Sequence, residues 1–145
     1  MVGPLKSLKI SLPSAGWLAR EGALYSFGGV IETMYNKTMT RQKLAAILKH
    51  LRIELASILG DQLEAIYLYG SQARGDARPN SDIDVMVVLR GDFDYFDMVM
   101  KKSACTAQIS LENDTVISSV FVSKEDYVNR RTPLLLNVRR EGVLV

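Results

Sequence analysis

Residues 65–89 read AIYLYGSQARGDARPNSDIDVMVVL. Two apolar runs within it, 65–69 and 83–89, are rich in aromatic and β-branched residues, which predicts two buried strands. The segment 75–80 between them is turn-forming, because Gly and Asn tolerate unusual backbone angles and Pro fixes one. The pattern therefore predicts that the second strand returns beside the first.

Two acidic residues, Asp82 and Asp84, flank Ile83 at the start of the second apolar run. Side chains alternate along a strand, so both carboxylates project from one face, about 6.5–7 Å apart at Cα, while Ile83 fills the core face. Mg²⁺ is usually held by one or two carboxylates together with substrate phosphates. Because unpaired buried charge is costly, an acid pair in an apolar strand indicates a metal site.

The first run ends at Gly70-Ser71. Gly70 has no Cβ, so the backbone can approach a ligand closely there. Residues 71–74 can open a short helix whose N–H groups point at phosphate, with the Ser71 hydroxyl and the Arg74 cation nearby. Together with the acid pair, this turn predicts a site for a nucleotide phosphate and a divalent metal.

The segment from Gly70 to Asp84 resembles the signature of minimal nucleotidyltransferases in the DNA polymerase β superfamily. The resemblance extends from about Thr40 to the C-terminus, including the tail 137–143. It implies a nucleotidyltransferase-like fold of the mixed α/β (α+β) class. It also implies transfer of a nucleoside monophosphate, with AMP the first choice, from a nucleoside triphosphate such as ATP to a protein or small-molecule hydroxyl. Two Mg²⁺ ions would neutralise charge on the attacking and leaving oxygens.

The resemblance also assigns roles to individual residues. Gly70 and Ser71 would hold the terminal phosphates, and Asp82 and Asp84 would bind both metal ions as the catalytic residues. The nucleotide-binding set is completed by Arg74 and Ser81.

A third acid on a neighbouring strand normally ligates one metal in this family, and here the chain departs from the pattern. The matching position is Ser118, which is a poorer Mg²⁺ ligand. Asp114 lies four residues before Ser118, near 13 Å along a strand, so it could replace the missing metal ligand only if the strand bulged or the register differed. Weak activity is therefore expected, with nucleotide binding better preserved than turnover.

The chain as a whole bounds the remaining possibilities. Its 145 residues, 48% hydrophobic, are enough for one domain, which we place at 37–145 after an unassigned extension at 1–36. A net charge of +2 gives no strong case for nucleic acid as a partner. A single cysteine, Cys105, excludes an intrachain disulfide, and no apolar run is long enough to span a membrane, so cytoplasmic residence is expected.

Apolar spacing predicts the remaining elements. A helix should run from Thr40 to a C-cap at Gly60, and another should cover about 93–110. Strands are expected near 64–69, 82–89 and 115–122, and short helices should begin after Ser123 and at Thr132-Pro133. The predicted architecture is a small mixed sheet flanked by helices packed on one side, with the aspartates near an exposed edge or face.

Three functions remain open on this sequence. The first is a Mg²⁺-dependent nucleotidyltransferase. The second is a partner-binding module that resembles the antitoxins of bacterial toxin–antitoxin pairs and neutralises a helical ribonuclease toxin, with weak catalysis or none. The third is a homodimeric enzyme resembling the aminoglycoside-modifying nucleotidyltransferases, in which a second copy supplies the acceptor pocket.

Overall fold

A computed structural model describes residues 39–145 of the chain. The extension predicted at 1–36 lies outside the described residues. Within 39–145, no helix is both long enough and apolar enough to cross a membrane.

The first helix, α1, spans Arg41–Leu59. The Thr40 hydroxyl caps its start by accepting a hydrogen bond from the Lys43 N–H at 3.1 Å. Gly60 ends the helix with φ 54°, a left-handed value that favours glycine. Both ends of the predicted helix are confirmed. A short 3-10 turn, Gly60–Gln62, then leads into the sheet.

Four strands form one mixed sheet in the order β3-β2-β1-β4. They are β1 (Leu63–Tyr69), β2 (Ile83–Leu89), β3 (Ile117–Ser123) and β4 (Val143–Leu144). β1 runs antiparallel to both β2 and β4, whereas β3 runs parallel to β2. The three predicted strands are confirmed within two residues at each end.

Four further helices connect the strands: α2 (Gly70–Arg74), α3 (Tyr95–Asn113), α4 (Lys124–Asn129) and α5 (Pro133–Glu141). The last two begin where the sequence predicts. The Ser123 hydroxyl accepts from the Asp126 N–H at 3.0 Å, and the Thr132 hydroxyl accepts from the Leu135 N–H at 3.3 Å. α3 provides the crossover between parallel strands β2 and β3.

Apolar side chains cover both faces of the sheet. The larger cluster packs α1 and α3 against one face, and its β2 members are Ile83, Val85, Val87 and Leu89. On the opposite face, Leu135 and Val138 of α5 pack with Met86 and Val88. The expectation that helices pack on one side alone was wrong, because after Asp84 the apolar side chains of β2 alternate between the two faces of the sheet, and helices cover both faces. Asp84 is therefore the second residue of a strand that is buried on both faces.

Candidate functional site

The turn after β1 lies directly against the first acid inside β2. Tyr69, the last residue of β1, is the cross-strand partner of Asp84. The next residue, Gly70, has φ 74°, and a Cβ built on it would lie 2.7 Å from the Asp84 Oδ2. Such a contact is shorter than real Cβ atoms show, so only glycine leaves room for this carboxylate. The glycine turn and Asp84 therefore form one structural unit.

The two aspartates sit at the entry to β2. Asp82 is exposed and immediately precedes the strand, whereas Asp84 is half-buried within it. Burial raises the pKa of Asp84, the nearby Asp82 carboxylate raises it further, and Arg74 partly offsets both. Two carboxylates whose charges interact could hold a hard cation such as Mg²⁺.

Ser118 occupies the place beside Asp84 on the neighbouring strand. The two residues are Cα partners across the parallel pair β2 and β3, and both are half-buried. Side chains of paired residues share a face of the sheet, so the Ser118 hydroxyl is the side-chain oxygen that β3 presents beside Asp84. A hydroxyl adds no negative charge to the pair.

Asp114 lies apart from the aspartate pair. It is the exposed C-cap of α3, with φ 52°, and its N–H points back to the carbonyls of Ser110 and Leu111. Across residues 39–145, no three His, Cys, Asp or Glu side chains gather closely enough to hold a metal ion. The structure thus brings Asp82 and Asp84 together without a third carboxylate.

Arg74, at the end of α2, is held by acids on both sides. Its Nε pairs with Asp76 at 3.1 Å, and its Nη1 pairs with Glu141 of α5 at 3.1 Å. These two hydrogen bonds raise the pKa of Arg74, so the guanidinium remains charged. The Arg74 charge also lowers the pKa of Asp84 and so partly offsets the effects of burial and of Asp82.

Ser81 makes two hydrogen bonds to Arg78 within the loop that precedes Asp82. Its hydroxyl accepts from the Arg78 N–H at 2.8 Å, and its own N–H donates to the Arg78 carbonyl at 3.0 Å. Asn80 within this turn has φ 65°. Ser71 lies in the first turn of α2, and its carbonyl accepts from the N–H groups of Gly75 and Asp76 at 2.9 and 3.1 Å. Gly70, Ser71, Arg74 and Ser81 therefore all belong to the segment joining β1 to the aspartate pair.

Two residues at this site were not predicted as functional. Tyr69, interpreted as core packing, lies opposite Asp84; its pKa is raised by burial first, then by Asp84 and Tyr95. Glu141 contacts Arg74 from 67 residues away. The position of Tyr69 follows from the antiparallel register of β1 and β2, and no local spacing signals the Glu141 contact.

Comparison with known proteins gives these residues a family context. The family described as Polymerase beta, Nucleotidyltransferase matches residues 42–132. Two relatives from Methanocaldococcus jannaschii are provisionally named protein adenylyltransferases. MJ0141 is 29% identical over 82 residues, covering 57% of this chain and 82% of the relative. MJ0604 is 38% identical over 65 residues, covering 44% of this chain and 58% of the relative.

The solved structure of a toxin–antitoxin with AMP-PNP is also similar to this chain. Its TM-score is 0.47 and its sequence identity is 23%, with 65% of this chain and 68% of that chain covered. The family match carries the assignment, since 42–132 is more than half of the chain. This chain belongs to the polymerase beta nucleotidyltransferase family.

Proposed function

We propose that this chain transfers AMP from ATP to a hydroxyl group of a protein, using Mg²⁺ held at Asp82 and Asp84. The names of the two M. jannaschii relatives support a protein as the acceptor. The observation that carries the proposal is the close approach of Gly70 to the Asp84 carboxylate. Because Gly70 has no side chain, the backbone of this turn lies next to the half-buried Asp84 carboxylate. A phosphate at the turn could therefore share a metal ion with that carboxylate.

The side chains present fit Mg²⁺. Two carboxylates at the entry to one strand supply the oxygen ligands that this ion accepts, and substrate phosphates would complete its shell. When bound, Mg²⁺ would neutralise negative charge on the phosphoryl oxygens. A site for two ions would lack one charged ligand, because Ser118 stands beside Asp84.

The surrounding residues would orient the triphosphate. Gly70 and Ser71 would face its terminal phosphates, with the Ser71 hydroxyl donating to an oxygen. Arg74 would contribute a guanidinium whose charge is secured by its two acidic partners. Ser81, whose hydroxyl accepts from Arg78, can still donate its own proton to a phosphate.

The proposed transfer forms one bond and breaks one. The acceptor hydroxyl oxygen bonds to the α-phosphorus, and the bond from that phosphorus to the bridging oxygen breaks as pyrophosphate leaves. The hydroxyl proton would pass to water, because Ser118 provides no carboxylate to accept it. We therefore expect slow turnover that accelerates with pH as the acceptor hydroxyl ionises.

Label transfer from ATP tests the proposal. The purified chain, Mg²⁺ and ATP labelled at the α-phosphate are incubated with candidate acceptor proteins from the products of neighbouring genes, and labelled protein is separated by electrophoresis. We expect label on a protein side chain with the wild type and at least a ~100-fold loss with Asp84→Asn, since losing this ligand weakens a metal ion that stabilises the transition state by several kcal/mol. Asp97→Asn serves as control, because Asp97 is an exposed, ion-paired acid on α3. Equal labelling by wild type and Asp84→Asn would contradict the proposal.

Ser118 favours a second candidate function, an antitoxin-like module that neutralises a helical ribonuclease toxin by binding alone. A site with two acids rather than three can retain nucleotide affinity while losing turnover. Co-expression with the toxin separates the two functions. If the double variant Asp82→Asn, Asp84→Asn still protects cells, binding suffices; if protection is lost while the complex still forms, transfer is required.

A further inference from the structure

Glu141 joins the end of α5 to the segment that follows β1. Its Oε1 accepts from Arg74 Nη1 at 3.1 Å, and its Oε2 accepts from Arg140 Nη2 at 2.9 Å. Both interactions lower the pKa of Glu141, Arg74 most, so the carboxylate stays ionised. The Glu141 carboxylate thus accepts hydrogen bonds from two guanidinium groups, and one of them, that of Arg74, belongs to the candidate site.

The backbone around Glu141 has little freedom. The Gly142 N–H donates to the Val138 carbonyl at 2.8 Å, and a Cβ on Gly142 would collide with that carbonyl oxygen. The chain then enters β4, where Val143 pairs with Leu68, and the Val145 N–H donates to the Ile66 carbonyl at 2.9 Å. α5 is anchored on its other side by buried Leu135 and Val138. Glu141 is therefore held in place by packing and by pairing with β1.

The acids that hold Arg74 leave part of its guanidinium available. Asp76 uses Nε and Glu141 uses Nη1, so neither hydrogen bond occupies Nη2. Among the described residues, the ion pairs of Arg74 go to Asp76 and Glu141, and none goes to Asp82 or Asp84. The guanidinium is thus held by two acids outside the aspartate pair and forms no ion pair with Asp82 or Asp84.

We propose that Glu141 is a positioning residue that holds Arg74 ready for the triphosphate of the nucleotide. This inference rests on the proposed function, because it assumes that Arg74 meets phosphate. Asp76 is two residues from Arg74 on an exposed turn, whereas Glu141 ends the packed helix α5 two residues before β4 pairs with β1, so Glu141 supplies the more rigid reference point. Without Glu141, Arg74 can turn toward Asp82 and Asp84 and compete with the metal for their oxygens.

The alternative is that Glu141 competes with phosphate for Arg74. The two roles give opposite results when the carboxylate is removed. A competitor's loss tightens nucleotide binding, because it frees a cation and removes a negative charge. A positioning residue's loss weakens binding, because Arg74 then loses its fixed orientation.

Calorimetric titration of a non-hydrolysable ATP analogue with Mg²⁺ tests this role. The proteins are wild type, Arg74→Ala, Glu141→Gln, Glu141→Asp, the double variant Arg74→Ala, Glu141→Gln, and Asp97→Asn as a remote ion-paired acid. Glu141→Gln should weaken binding about two- to fivefold, the range expected for an exposed ion pair. Glu141→Asp should recover part of the loss, and Asp97→Asn should bind as wild type. A thermal unfolding curve for each variant identifies any loss due to misfolding.

The double variant gives the decisive comparison. Once Arg74 is alanine, removing Glu141 should change affinity no further, since Glu141 acts through Arg74. Equal or tighter binding by Glu141→Gln, or full additivity in the double variant, would overturn the inference. If Glu141→Gln fails to fold, Glu141→Asp carries the test, and wild-type affinity in that variant would also overturn it. A wild type that binds no analogue would instead overturn the proposed function.

Discussion

The Asp84 carboxylate lies where a side chain at position 70 would begin: a Cβ on Gly70 would be 2.7 Å from the Asp84 Oδ2. The two residues are 14 positions apart, yet the antiparallel pairing of Tyr69 with Asp84 brings them together. The end of β1 and the start of β2 therefore build the site jointly. An alteration of either residue should affect the other.

Gly70→Ala should therefore damage the site beyond its effect on the backbone. A residue with a Cβ at positive φ costs about 1–2 kcal/mol in stability, and at Gly70 the new methyl also displaces the Asp84 carboxylate. Gly91→Ala is a matched control, because Gly91 has φ 71° but no atom within 4 Å of a built Cβ. Chemical denaturation and nucleotide titration of both variants check this. We expect similar stability losses and weakened Mg²⁺-dependent nucleotide binding in Gly70→Ala alone; weakened binding in both would contradict the account.

Ser118→Asp should strengthen metal binding. Ser118 pairs with Asp84 across parallel strands, so an introduced carboxylate joins the same face as the aspartate pair. We expect the Mg²⁺ concentration for half-maximal activity to fall about tenfold, since one favourable charge contact of ~1.4 kcal/mol corresponds to that factor.

Ser118→Asn is the matched control for this change, because it has nearly the shape of aspartate without the charge. Label transfer measured over a Mg²⁺ series separates the two variants. A Ser118→Asp protein with unchanged or higher Mg²⁺ requirement would show that β3 does not present this position to the metal.

Glu64 should give the fold a pH-dependent contribution to stability. Hydrogen bonds from Arg90 and then Lys124 lower the pKa of Glu64 from its usual 4.5. Stability from these contacts is therefore present above about pH 4.5 and is lost as pH falls through the lower folded-state pKa. Urea unfolding should show wild type more stable than Glu64→Gln at about pH 7, with the difference shrinking toward about pH 3. A difference that stays constant over that range would contradict this prediction.

Local patterns predicted most of the secondary structure because each signal lies within one element. Thr40 and Gly60 mark the ends of α1, and Ser123 and Thr132 cap the helices that follow them. The second layer of helices was missed, although β2 carried a signal for it. Met86 and Val88 lie on the same face as Asp84. Together with the apolar residues on the other face, they form a continuous apolar run, which indicates a strand buried on both sides.

Contacts between distant elements could not be predicted in the same way. The pairing of Asp84 with Ser118 depends on the register of a parallel crossover, and the Arg74–Glu141 ion pair depends on β4 returning to β1. The spacing of residues along the sequence indicates neither the Asp84–Ser118 pairing nor the Arg74–Glu141 ion pair. The acid pair and the glycine turn were visible in the sequence because they lie within one 15-residue segment, 70–84.

The proposed function depends on the binding of a nucleotide through Mg²⁺ to Asp82, Asp84 and the Gly70 turn. Its most direct test is calorimetric titration of an ATP analogue that cannot be cleaved between the α- and β-phosphates, with and without Mg²⁺. We expect saturable binding by the wild type only with Mg²⁺, and at least about tenfold weaker binding by the double variant Asp82→Asn, Asp84→Asn. No binding by the wild type, or equal affinity in the double variant, would contradict it.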